Sequence, residues 1–259
     1  YRTKCISEEK CGECKEVCSG ENVLQFFEGK IGAIDRQKCK HCLACADACP
    51  AEAIKQWGKY MTVEQCMEII RKDRGYYDRS GGGVTVSGGD PLLQSDFVQQ
   101  LFKACKEDGI QTCLESTFYA EWEDVLKVLP YTDLIISDLK HMNTEKHKQY
   151  TGVNNEKILE NLKHLAREGR DMIPDVNDDD INMKETADFI LNELDGHVRT
   201  LQLLSFMRLG EEKYISLGIP YRMEDVELDR EEFQKKVEKI CAYFNDRNIH
   251  CLVGTKEKE

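Results

Sequence analysis

Apolar side chains change their spacing near residue 61, and that change divides the chain. From there onward, segments with apolar positions three and four apart alternate with short apolar runs, the signature of helices and buried strands in turn. Thr62-Val-Glu-Gln65 is a capping box, and Val63, Cys66, Met67 and Ile70 behind it share one helix face. A strand over 84–87 follows three glycines, then come a helix over 95–108 stopped by Gly109, a strand over 110–115 and a helix over 121–129. A strand over 133–138, a helix over 154–168, the short stretch 171–174 and a helix over 183–194 continue the series. It closes with a strand over 198–206, a helix over 230–245 and a last strand over 250–253. Apolar strands separated by helices imply a parallel sheet covered by helices.

Residues 1–56 carry few large apolar side chains, too few for a self-sufficient core. The stretch 25–35 reads as a short hairpin. We place a boundary near Trp57–Met61, giving units of 1–58 and 59–259.

Composition narrows the picture. With 259 residues, 41% of them apolar, the chain can bury a sizeable core. Its 36 basic and 48 acidic side chains leave a formal charge of −12, which argues against nucleic acid as a partner. No apolar run approaches the roughly 18 residues needed to span a bilayer, and no cleavable presequence is visible. A cytoplasmic, monomeric protein with no membrane partner is the expectation. The 13 cysteines are odd in number, and the chain is too long for a disulfide scaffold, so the thiols belong to a reducing compartment.

Eight of those cysteines are crowded before Pro50. Cys39, Cys42, Cys45 and Cys49 are spaced C-x2-C-x2-C-x3-C and closed by the proline, while Cys5, Cys11, Cys14 and Cys18 form an upstream run with the same tail and one longer gap. Three cysteines at two-residue gaps can reach three corners of one cubane cluster, and the fourth leaves toward a second, as in bacterial two-cluster ferredoxins. By that exchange, Cys39, Cys42, Cys45 and Cys18 hold one [4Fe–4S] cluster and Cys5, Cys11, Cys14 and Cys49 the other. Zinc fits poorly, because zinc knuckles are pairs separated by a longer loop. Clusters would also supply folding energy to a segment short of apolar residues.

The later strands end in polar or glycine residues at one edge: Ser87-Gly88-Gly89-Asp90, Glu115-Ser116, Ser137-Asp138-Leu-Lys140 and Ser205. A ring of such ends favours a full or partial barrel over an open doubly wound sheet.

At this point the residues carry a resemblance. Val86-Ser-Gly-Gly-Asp-Pro-Leu-Leu93 resembles the V-S-G-G-E-P-L-L turn of radical S-adenosylmethionine enzymes, and Asp138-Leu-Lys-His-Met-Asn143 resembles the D-x-K-x-M strand end of glycyl-radical-enzyme activating enzymes. Blocks at 150–154, 173–178 and 203–210 are similar to others of that subfamily, in the same order. The eight-cysteine insert is similar to that of activases serving lyase, decarboxylase and dehydratase glycyl radical enzymes. The resemblance implies a partial (β/α)6 barrel carrying a ferredoxin-like domain, and reductive cleavage of S-adenosylmethionine to a 5′-deoxyadenosyl radical. That radical takes a hydrogen from a backbone glycine of a partner glycyl radical enzyme. It also implies a low-potential electron donor, flavodoxin or ferredoxin. Ser87, Gly88, Gly89, Asp90, Glu115, Ser116, Asp138 and Lys140 fall where the family contacts the bound cofactor, with Asp90 near its amino group.

The family's C-x3-C-x2-C loop, which leaves one iron open for S-adenosylmethionine, does not occur between Tyr1 and Glu259. The resemblance puts that loop, the first barrel strand and the third, catalytic cluster ahead of Tyr1, and a preceding segment is therefore expected. Most of the fifth barrel strand is expected to be missing around 169–174, Asp90 stands where glutamate is usual, and Met207 where a histidine is common. The alternative is a two-cluster electron-transfer protein fused to a barrel that has lost its activity.

Overall fold

The computed structural model of the protein describes residues 1–170, 172–176, 180–203, 211–221 and 229–254. The chain divides into two compact units, residues 1–60 with 207–227, and residues 61–206 with 228–259.

In the first unit, β1 (Leu24–Phe27) pairs antiparallel with β2 (Lys30–Ile34), the expected hairpin. Its two-residue turn has positive φ at both Glu28 (50°) and Gly29 (72°), the backbone twist that two-residue hairpins favour. Two short helices, α1 (Glu13–Val17) and α2 (Ala44–Asp47), each start inside a cysteine run. Each opens from a residue in the left-handed region, Gly12 (φ 69°) before α1 and Leu43 (φ 64°) before α2. The buried centre is small: Ile31, Ala53 and Ile54, packed against Cys5, Cys14, Cys45 and Cys49 among others.

The second unit opens with α3 (Val63–Ile70), capped as its sequence requires: Gln65 N donates to Thr62 Oγ1 (3.2 Å) and Thr62 N to Gln65 Oε1 (2.9 Å). A further helix, α4 (Arg74–Ser80), precedes β3 (Gly83–Val86). Then come α5 (Ser95–Glu107), β4 (Gln111–Ser116), α6 (Trp122–Val128), β5 (Leu134–Leu139), α7 (Thr144–Thr151) and α8 (Glu156–Arg167). The series ends with β6 (Met172–Val176), α9 (Asp180–Glu193), β7 (Leu201–Leu203), α10 (Glu211–Leu217) in the part grouped with the first unit, α11 (Arg230–Asn245) and β8 (Cys251–Val253).

Strands β3 to β8 form one parallel sheet in consecutive order. A doubly wound sheet reverses its order at a switch point, whereas consecutive order is that of a barrel wall. One expectation is corrected here. The strand thought missing near 169–174 is present as β6, hydrogen-bonded along β5 with Ile135 opposite Met172 and Leu139 opposite Val176. The sequence around it hid the strand, because Pro174 and Asp175 interrupt the apolar run and proline argues against a central strand.

The core lies on the face of the sheet covered by helices. Leu114, Ile135, Leu139, Met172, Leu201 and Leu203 pack there against Phe102 of α5, Val125 of α6, Leu162 and Leu165 of α8, Ile190 of α9 and Phe244 of α11. Fully burying side chains of this size contributes about 1.5–3 kcal/mol each. Among the described residues, no helix is long and apolar enough to cross a membrane.

Candidate functional site

Successive residues of a strand point to opposite faces, and that alternation sorts the strand-end residues. Leu114, Ser116, Ile135, Ser137 and Leu139 are buried toward the helices. Thr85 and Glu115 are exposed on the other face, with Ile136 and Asp138 half-buried beside them. Glu115 and Ser116, expected to act as a pair, are therefore separated: Glu115 faces the open side and Ser116, 5% exposed, the packed side. Asp138 Oδ1 and Lys140 Nζ form an ion pair at 3.1 Å at the end of β5.

The turn after β3 is exposed at Ser87, Gly88 and Gly89. Gly88 has φ of 118°, which only glycine adopts readily, and neither Gly88 nor Gly89 has any atom within 4 Å of where a Cβ would stand. The cradle is open to a ligand approaching the backbone. Asp90 is half-buried, and its carboxylate accepts from Leu92 N (3.0 Å), Ser116 Oγ (2.9 Å), Thr117 N (3.0 Å) and Thr117 Oγ1 (2.6 Å). It caps the short helical turn Pro91–Gln94 and latches the β3 turn to the end of β4. Ser116 Oγ in turn accepts from Phe118 N at 2.9 Å, so this hydroxyl both donates and accepts within the protein.

Three buried asparagines brace the strand-end loops, and none was legible from spacing. Asn161 on α8 donates to the carbonyls of Phe118 and Ala120, both at 2.9 Å. Phe118 is buried with φ of 58°, a strained conformation for an aromatic residue that survives only where its surroundings fix it. Asn155 donates to His141 O (2.9 Å) and Met142 O (2.7 Å), and Asn182 Oδ1 accepts from Met142 N (2.7 Å). His141, 2% exposed, accepts from Asn143 N at Nδ1 (3.0 Å), which leaves its ring proton on Nε2. The strand end bearing Asp138 and Lys140 is thereby followed by a locked loop. Ser205, Met207 and residues 177–178 lie outside the described residues.

In the first unit none of the eight cysteines is in a disulfide, and of the eight only Cys42 is exposed. A cavity is lined by Cys18, Cys39, Cys42 and Cys45 together with Leu24, Ile34, Lys38 and Lys40. Burial, and then the neighbouring thiolates of Cys18 and Cys39, push the Cys45 thiol above its usual range. Cys14 is likewise pushed up by burial and then by Cys49, Cys5 and Cys11. The cavity thus brings Cys18, the last cysteine of the upstream run, beside three cysteines of the downstream run, and Cys45 is also among the neighbours that raise Cys14. Backbone N–H groups of Ile31, His41 and Ala53 donate to the sulfurs of Cys5 (3.4 Å), Cys39 (3.4 Å) and Cys49 (3.2 Å). Among the described residues, no three His, Cys, Asp or Glu side chains converge as a single metal ion requires.

Comparison with known proteins gives the class first. Residues 36–190 match the family model of the radical SAM superfamily. The chain is 62% identical, over its whole length and 83% of the relative, to a (2S)-3-sulfopropanediol dehydratase activating enzyme of Klebsiella oxytoca. It is 32% identical, over 95% of its length and 81% of the relative, to an isethionate sulfite-lyase activating enzyme of Nitratidesulfovibrio vulgaris. A crystal structure of a domain of a pyruvate-formate lyase-activating enzyme from Bacteroides vulgatus superimposes with a TM-score of 0.54 at 27% identity, covering 67% of this chain and 99% of that one. The chain belongs to the radical SAM superfamily and, within it, to the activating enzymes of glycyl radical enzymes. It is an enzyme of S-adenosylmethionine radical chemistry, and membership implies a [4Fe–4S] cluster and S-adenosylmethionine.

Proposed function

We propose that this protein activates a glycyl radical dehydratase whose substrate is a short sulfonated diol, and that its eight N-terminal cysteines hold two auxiliary [4Fe–4S] clusters. The first half of the reading is supported by 62% identity along the whole chain to the sulfopropanediol dehydratase activating enzyme, against 32% to an activase of a sulfite-lyase.

The observation that carries the second half is the grouping of the thiols. Cys18, Cys39, Cys42 and Cys45 line one cavity, and Cys14 has Cys49, Cys5 and Cys11 as its foremost electrostatic neighbours, ahead of Cys45 from the cavity group. Four thiolates brought together repel one another, and cationic iron at their centre converts that cost into binding energy. A cluster with one cysteine per iron does not ask its ligands to converge on a point, and N–H groups aimed at the sulfurs are a recognised means of setting its potential. The donor set therefore fits the ferredoxin-like arrangement of two clusters.

Bound S-adenosylmethionine and a catalytic cluster, whose C-x3-C-x2-C ligands are not among residues 1–259, would supply the 5′-deoxyadenosyl radical that takes hydrogen from a glycine of the partner enzyme. The chain's own residues have other tasks. The backbone of Ser87, Gly88 and Gly89 offers an unobstructed cradle, with Glu115, Asp138 and Lys140 as charged groups that orient a zwitterionic ligand on the open face of the sheet. Asp90 and Ser116 act one step back, by holding that cradle against β4.

Anaerobic reconstitution of the protein tests both halves. Eight irons bound by residues 1–58, lost four at a time when Cys18 or Cys49 is replaced, are expected; zinc, or fewer than eight irons, would overturn the cluster assignment. A glycyl radical signal raised in a sulfopropanediol dehydratase and not in an isethionate sulfite-lyase is the expected specificity, and the reverse preference would overturn it.

A further inference from the structure

The two cysteine runs differ in the charged residues that accompany them. Residues 36–41 contribute Arg36, Lys38 and Lys40 and no acid, within a chain of formal charge −12. All three are exposed, and Lys38 and Lys40 line the cavity of Cys18, Cys39, Cys42 and Cys45. The nearest acid in sequence, Asp35, is spent internally: its carboxylate accepts from Gln37 N (3.0 Å) and Lys38 N (3.3 Å), and it pairs with Lys38 Nζ at 3.4 Å. Arg36 and Lys40 make no ion pair among the described residues. The upstream cysteine run, 5–18, which supplies three cysteines of the other set and Cys18 of this one, has the opposite balance in sequence, with Glu8, Glu9, Glu13 and Glu16 against Lys10 and Lys15.

The basic rim also has an apolar centre. Cys42 is the one exposed thiol of the eight, and Leu43 beside it is 37% exposed, held outward by a left-handed backbone (φ 64°). An apolar spot within a charged ring is the usual anatomy of a transient interface. At physiological ionic strength charges more than about 8 Å away are largely screened, so this local surface and not the distant acidic excess governs an encounter.

We propose that the rim formed by Arg36, Lys38, Lys40 and Leu43 docks an acidic one-electron carrier protein, which delivers its electron at the cluster of Cys18, Cys39, Cys42 and Cys45. The proposal rests on the two-cluster reading above. One electron moves: the carrier is oxidised by one unit, the cluster is reduced by one, and no bond is made or broken between the proteins. Charge complementarity of this kind acts mainly on the rate of encounter and on its salt dependence.

The test uses the reconstituted protein and a purified flavodoxin as the acidic probe, under anaerobic conditions. Calorimetry is expected to give binding that weakens steadily with added salt. The charge reversal Arg36→Glu/Lys38→Glu/Lys40→Glu should weaken binding about tenfold or more and slow reduction by flavodoxin in stopped flow, while reduction by dithionite keeps its rate. The opposite reversal, Glu9→Lys/Glu13→Lys/Glu16→Lys, should leave binding unchanged or tighter. Iron content separates the two readings: fewer than eight irons in the unaltered protein counts against the clusters, and unchanged flavodoxin binding by an iron-replete triple variant overturns the docking surface. Absence of flavodoxin binding by the unaltered protein overturns it equally. If the triple variant loses iron, Arg36→Gln/Lys40→Gln repeats the measurement; a loss of several-fold is expected, and an unchanged affinity refutes the proposal. Equal binding of a short DNA duplex would overturn the commitment to a protein carrier.

Discussion

Replacing Asp90 by asparagine changes one oxygen to an amino group and tests the latch between the β3 turn and the end of β4. The carboxylate now accepts from Leu92 N, Ser116 Oγ, Thr117 N and Thr117 Oγ1, at 3.0, 2.9, 3.0 and 2.6 Å. An amide has a single oxygen. If that oxygen stays toward Leu92 N, the new NH2 group faces the Thr117 N–H; turned over, it faces the Leu92 N–H. Either way a backbone donor meets a donor, and although the Thr117 hydroxyl can rotate to accept, an N–H cannot. A hydrogen bond to a charged group is worth about 1.5–3 kcal/mol and an unpaired buried donor costs about 1–3 kcal/mol. Thr117 is half-buried, so water can recover part of this, and we expect Asp90→Asn to cost about 2 kcal/mol. Urea denaturation at constant m-value would read the loss, and hydrogen exchange would localise it to the amides of Leu92, Thr117 and Phe118. A change under 0.5 kcal/mol, with protection intact at those amides, would refute the account of Asp90 as a latch.

Four other expectations follow from the same geometry. Asn161→Ala removes the amide donor to two carbonyls of the loop that holds Phe118 at positive φ, and should cost about 2–3 kcal/mol with raised exchange at 118–120. Gly83→Ala would place a Cβ 1.9 Å from Gln111 O, so β3 must part from β4; circular dichroism and exchange should show β3 unprotected, and a stable, fully protected variant would disprove that close approach. Burial pushes Asp133 up, but the Lys106 ammonium at 2.5 Å and the Thr112 backbone N–H at 2.9 Å outweigh it and hold it below the usual carboxylate range. Its contribution is present above the unfolded value of about 3.9 and fades as pH falls through the lower folded value, so Asp133→Asn should flatten the acid limb of a stability–pH curve. Burial, and then Asp108, push the Cys105 thiol up to about 11, and burial also raises Cys113 and Cys251. At pH 8 these three should resist alkylation in the native protein, while the eight N-terminal thiols become reactive once a chelator strips iron.

Where a single physical cause fixes structure locally, the amino-acid sequence could be read directly. The capping box at Thr62 and Gln65, the hairpin around Gly29 and the helix stop at Gly109 are of that kind, and each is in the structure. Helices α4 and α7 escaped because they bury little: α4 has no buried residue and α7 only His147, so neither shows an apolar period. Strand β6 escaped because its sheet neighbours, and not its own sequence, make it a strand. At the site, the strand ends of Gly88, Glu115 and Asp138 were legible from their positions behind apolar runs. The latch of Asp90 on Thr117 and the braces of Asn155, Asn161 and Asn182 were not, since they join residues 13 to 43 apart in the chain. The charge contrast between the cysteine runs was written in the sequence, but only the cavity wall showed which lysines border the thiols.

The alternation along β4 and β5 has a consequence for how this protein tolerates change. Leu114, Ser116, Ile135, Ser137 and Leu139 answer to the helices, while Glu115, Ile136 and Asp138 between them answer to whatever occupies the open face. Two selections therefore run through the same few residues, interleaved at a period of two. A mutational scan that scores abundance and partner activation separately should show the two scores out of phase along each strand, odd positions failing in one where even positions fail in the other.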